Sequence, residues 1–215
     1  KSGHLKEYEW RPADSIDDSS LPVSEAVATD SRSTALAVQL LETIRGMDAF
    51  DSYERAVHTF PHGLLVVIAT PEVGREYCVP INGANIFKDK YIEVGDDDVE
   101  RYIERAAQIE GAVFVNNARQ ELVTTNLALD NKLPRPLEGG LRHYMGLPEG
   151  SGMKTIRAAA MARYTPAAAL VVRTPKREKP FEAYAMYDDQ ILKSEPKKQR
   201  SRIWPISGVL SYSRR

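Results

Sequence analysis

The chain has 215 residues, 42% of them hydrophobic and 27% charged, which excludes wholesale disorder. The net charge of −1 excludes a uniformly basic protein, yet residues 173–215 hold 11 Lys and Arg against 5 Asp and Glu, a net +6 that leaves −7 on the rest. The one cysteine, Cys78, excludes an intrachain disulfide and a cysteine-rich zinc site, and fits a reducing, cytoplasmic setting.

Lys1-Ser2-Gly3-His4 lacks an apolar core and is not read as a signal peptide; a chain that starts without Met reads as a cut or mature form. Residues 1–33 are polar and rich in turn formers, and read as an N-terminal arm with Trp10 as an anchor. Leu36, Leu40, Leu41 and Ile44 then fall on one helical face, with Ser33 or Thr34 as the cap and Gly46 as the stop. Met47 to Phe60 reads as a second helix, ended by Pro61. Leu64–Ala69 is a six-residue apolar run and reads as a strand buried on both faces. No run in the chain is longer, so no membrane span is expected. Val73 to Val79 reads as extended. Asp98 to Ile109 reads as a helix, and Val113-Phe114-Val115 as a second buried strand. Asn116 to Arg119 form a turn into a hairpin strand, Glu121 to Leu129. Residues 131–154 read as a glycine- and proline-rich loop. A helix from Thr155 to Tyr164, a strand from Ala167 to Val172 and a strand from Phe181 to Met186 complete the body, which spans 34–192. Residues 193–215 read as a basic tail carrying Trp204 and Tyr212. Helices interleaved with apolar strands predict a mixed α/β layer fold.

From about residue 60 to about residue 190, this order of elements resembles the diadenylate cyclase domain family, whose members make cyclic di-AMP from two ATP. Four stretches carry the resemblance: His62 to Val67; Asp98 to Ile109 running into Glu110-Gly111-Ala112-Val113; Asn117 to Leu129; and Met153 to Ala159 followed by Ala167 to Val172. The second is similar to the helix leading into the family's Asp-Gly-Ala motif, and the fourth to its Gly-Thr-Arg-His-Arg-Ala-Ala segment. Two departures stand out. Glu110 replaces the aspartate, and Thr155-Ile156-Arg157 replaces Arg-His-Arg, so that a single basic residue survives. Arg142 and His143, in the loop between the motifs, are candidates to replace the lost pair.

The resemblance implies a central mixed sheet flanked by helices, and a face-to-face dimer in which each subunit supplies half a site. It implies that Glu110 holds Mg²⁺ or Mn²⁺ near the attacking 3′-hydroxyl. Gly111, Ala112, Gly152, Thr155 and Arg157, with Arg142 and His143, would then bind the nucleotide. Two further readings stay open: a non-catalytic nucleotide-binding module on the same fold, and an interaction protein whose basic tail binds nucleic acid.

Overall fold

The computed structural model describes residues 27–81, 83–129, 133, 147, 151–178, 181–188 and 190–194. Trp10, Arg142, His143, Trp204 and Tyr212 lie outside the described residues, as does most of the loop at 131–154.

Asp30 starts the first helix, α1 (Ser31–Gly46); its carboxylate accepts from the N–H groups of Arg32 at 2.9 Å and Ser33 at 3.2 Å. Asp30, and not Ser33 or Thr34, is therefore the cap. The Ser33 hydroxyl is buried and instead accepts from the Asn117 side chain at 3.0 Å. The fold thus begins inside the stretch read as an arm. Val27 N–H donates to the Arg163 carbonyl and Asp30 N–H to that of Pro166, each at 3.0 Å.

The segment from Met47 to Phe60 is divided rather than continuous. A 3₁₀ turn (Asp48–Phe50) precedes α2 (Tyr53–Thr59), which restarts where the Ser52 hydroxyl accepts from Arg55 N–H. After β1 (Leu64–Ala69) comes α3 (Pro71–Tyr77), where extended chain was expected. Thr70 caps α3 and Pro71 stands at its first turn, the position proline favours. Then follow β2 (Cys78–Pro80), α4 (Val99–Ala107), β3 (Ala112–Asn116), β4 (Glu121–Leu129), α5 (Met153–Tyr164), β5 (Ala168–Val172), β6 (Ala183–Tyr187) and β7 (Gln190–Ser194).

The strands form one sheet in the order β2-β4-β3-β1-β5-β6-β7. Among the described residues only β1 and β3 pair in parallel; the other strand pairs are antiparallel, including the expected β3–β4 hairpin. Helices cover both faces, so the fold is mixed α/β with a flanked central sheet. Alternate side chains of the strands feed two cores. Leu64, Val66, Ile68, Val113, Val115 and Leu170 pack with α1 and α4. Leu65, Val67, Phe114, Leu127, Val171 and Tyr184 pack with α5. Gly74 of α3 lies on this second face, where a β-carbon would come within 2.7 Å of the Phe114 ring. Alanines at 158, 159, 160 and 162 are buried, so α5 lies close on the sheet. Among the described residues no helix is long and apolar enough to cross a membrane.

Candidate functional site

The antiparallel pairing of β5 with β1, and the hairpin of β4 on β3, bring the starts of β1 and β3 to the same sheet edge as the ends of β4 and β5 and the start of β6. Glu110 stands at this edge, exposed, in the turn between α4 and β3. The turn is held from both sides. The Gln108 side chain donates to the carbonyls of His58 at 2.7 Å and Thr59 at 2.8 Å. Gly111 has φ +116°, and its α-carbon faces the β4 backbone closely. The parallel ladder of β1 on β3 begins at Leu65–Ala112, directly after this turn.

The first turn of α5 reaches the same edge. Lys154, half-buried, donates from Nζ to the His62 carbonyl at 2.8 Å. Burial lowers the pKa of its ammonium from the ordinary lysine value, and the nearby Glu110 carboxylate opposes that shift. Arg157, one turn on, donates from Nη1 to the Leu129 carbonyl at the end of β4. Because α5 packs on β5, β1 and β6, that bond crosses the strand β3 that Glu110 leads into.

Beside them lies a buried charged group. Arg173 Nη1 pairs with Glu182 Oε2 at 2.9 Å, with side chains 13% and 9% exposed. The Tyr184 hydroxyl donates to the other carboxylate oxygen of Glu182. Arg173 is thus neutralised within the protein.

The structure brings Glu110, Gly111, Ala112, Gly152, Thr155 and Arg157 to one edge, with differing exposure. Ala112 is buried in β3, so only its backbone can meet a ligand. Gly152 is exposed and caps α5 through its backbone, with nothing within 4 Å of where a β-carbon would stand. Thr155, expected as the cap, is 2% exposed inside the first turn, its N–H bonded to the Gly152 carbonyl. A helix starting two residues earlier than expected explains the change of cap. It also brings Lys154 onto the helix and out of the glycine- and proline-rich loop. The signal that could have found it is its place directly before Thr155.

Among the described residues no cluster of three or more His, Cys, Asp or Glu could hold a metal ion. Glu110 is a single accessible carboxylate. That fits Mg²⁺ or Mn²⁺ in the manner of ions bound by one or two carboxylates plus substrate phosphates, keeping several waters.

No family model matches the chain, and no curated protein does. Among solved structures it is similar to one described as a hypothetical membrane spanning protein from Bacillus cereus. That match has a TM-score of 0.43 and 15% identity, and covers 69% of this chain and 64% of the other. The chain thus spans less than two thirds of the length of that neighbour.

Proposed function

We propose that the chain is a nucleotidyltransferase of the diadenylate cyclase type, condensing two ATP into cyclic di-AMP with Mg²⁺ or Mn²⁺. The observation that supports it is that Arg157 of α5 reaches the Leu129 carbonyl at the end of β4, the same end of the sheet at which the α4–β3 turn carries Glu110. Glu110 and Arg157 stand 47 positions apart and carry the opposite charges that a metal-bound triphosphate needs.

In this reading the 3′-hydroxyl of one nucleotide attacks the α-phosphorus of the other. The O3′–Pα bond forms, the bond from Pα to the bridging oxygen breaks, pyrophosphate leaves, and the hydroxyl proton passes to solvent. A second such step closes the ring. When bound, the divalent ion neutralises phosphate charge and lowers the pKa of the attacking hydroxyl. Glu110 would hold that ion, and its backbone is fixed by Gln108 and Gly111. Arg157 and the open backbone at Gly152 face the phosphates. Each protomer offers half of the site, so the working unit is a homodimer or a higher oligomer. The reading places the chain in the cytoplasm, where ATP is made available.

A second reading is a binding module without turnover. The observation that favours it is that Glu110 stands without two further metal-ligating side chains among the described residues. Incubating the protein with ATP and Mn²⁺ or Mg²⁺, at concentrations that permit dimers, should yield cyclic di-AMP and pyrophosphate. Calorimetric ATP binding with no product under either metal would leave the second reading standing, and no binding at all would overturn both.

A further inference from the structure

The cations at this edge are unequal. Arg173 is paired with Glu182, and the Arg157 guanidinium is engaged by the Leu129 carbonyl. The Lys154 ammonium is held by the His62 carbonyl at 2.8 Å through one of its N–H groups, which leaves two for a ligand. Its carrier, the first turn of α5, and its anchor, the residue before Gly63, are both fixed. Gly63 has φ +63°, and a β-carbon there would stand 2.4 Å from the Val172 carbonyl oxygen, so only glycine lets the chain lie against β5. β3 starts beside β1 at Ala112, directly after the turn that carries Glu110, and the Glu110 carboxylate is close enough to act on the Lys154 ammonium. The ammonium and the carboxylate therefore share one corner of the sheet, the arrangement a metal-bound phosphate chain requires: a carboxylate toward the ion and a cation toward the outer oxygens.

We propose that Lys154 is a phosphate-binding residue, whose ammonium grips the terminal phosphates of ATP bound beside Glu110. The assignment rests on the nucleotide reading above and adds to it the group that discriminates a triphosphate from a monophosphate.

The test is calorimetric titration of the full chain with ATP and with AMP, in Mg²⁺, for wild type, Lys154→Met, Lys154→Gln and Lys154→Arg. Losing one charge-assisted hydrogen bond is expected to weaken ATP binding by about 10-fold to 100-fold. AMP binding should change by less than about 3-fold, and Lys154→Arg should keep most of the ATP affinity, since the charge is retained. Lys154→Gln keeps a donor for the His62 carbonyl and serves if the Met variant does not fold. Two results would overturn the assignment while leaving the nucleotide reading intact. One is neutral variants that bind ATP as tightly as wild type; the other is equal losses for ATP and AMP. Wild type that binds neither nucleotide, with Mg²⁺ or Mn²⁺, would overturn both.

Discussion

Gly111 faces Asn126 across the β3–β4 hairpin so closely that a β-carbon on the glycine would stand 3.1 Å from the Asn126 α-carbon and from the Leu127 carbonyl oxygen. Both residues have positive φ, +116° at Gly111 and 59° at Asn126, and Asn126 lies within the irregularity where the pairing passes from Ala112–Leu127 to Phe114–Thr124. Asparagine tolerates that backbone better than most residues, and here its side chain also donates to the Ala84 carbonyl at 2.6 Å. Alanine at 111 meets both strain and contact. Gly111→Ala should lower the unfolding free energy by about 2 kcal/mol or more, read by urea denaturation. The glycine is thus required by the hairpin whether or not a phosphate approaches it.

That dual demand bears on what the sequence could reveal. β1 and β5 were legible because burial on both faces makes an uninterrupted apolar run. α1 was legible through its one-sided spacing. α3 was not, because seven residues with a central glycine carry little helical signal; Gly74 is set there by the Phe114 ring, a contact 40 positions away. β7 was hidden for the opposite reason. It is an edge strand with Gln190, Leu192 and Lys193 exposed, so no buried face marks it. At the candidate site, Glu110 and Arg157 could be chosen from the resemblance, whereas Lys154 depends on where α5 begins and on the His62 carbonyl, neither of which a linear pattern shows.

The Arg173–Glu182 pair predicts a large stability effect at the same edge. Both side chains are nearly buried, and Glu182 also accepts from Tyr184. Glu182→Gln removes the countercharge and leaves the guanidinium in low dielectric, which should cost about 3 kcal/mol. Tyr184→Phe removes one donor and should cost less, about 1 kcal/mol. Burial first, and then the hydrogen bond to Glu182, raises the pKa of the Tyr184 hydroxyl above the usual tyrosine value. Denaturant midpoints of the two variants rank the effects, and an equal or reversed ranking would show that the ion pair is not the stronger contributor.

Cys78 predicts a pH dependence of stability. Its thiol lines an open groove of about 370 Å³ between α3 and β4, with Phe114 and Leu127 on the walls, yet the residue itself is buried. Burial pushes its pKa up from 9.0 to about 11. The folded chain therefore holds the thiol proton between these values while the unfolded chain releases it. Ionisation in that window favours the unfolded state, so this contribution to stability is intact below pH 9 and falls as pH rises toward 11. The difference in unfolding free energy between wild type and Cys78→Ala should narrow over that range. Alkylation by iodoacetamide should rise with a midpoint near 11 in the folded chain and near 9 in denaturant.

Glu110 separates chemistry from folding most cleanly. Its side chain is exposed, in a turn already held by Gln108 and Gly111, so Glu110→Ala should leave the unfolding free energy within about 0.5 kcal/mol of wild type. On the nucleotidyltransferase reading proposed above, turnover of ATP should fall below detection, because that reading assigns the ion to this carboxylate. Glu110→Asp is the sharper variant. It keeps the charge and shortens the arm by one methylene, restoring the residue found in the family that the chain resembles. If the longer side chain displaces the ion by about 1 Å, the aspartate variant should gain as much as about a hundredfold in rate. If the sheet edge is instead built around glutamate, the variant should lose activity. Either change, read as kcat at saturating ATP and metal, ties Glu110 to the reacting centre. Rates equal to wild type in both variants would remove this carboxylate from the mechanism.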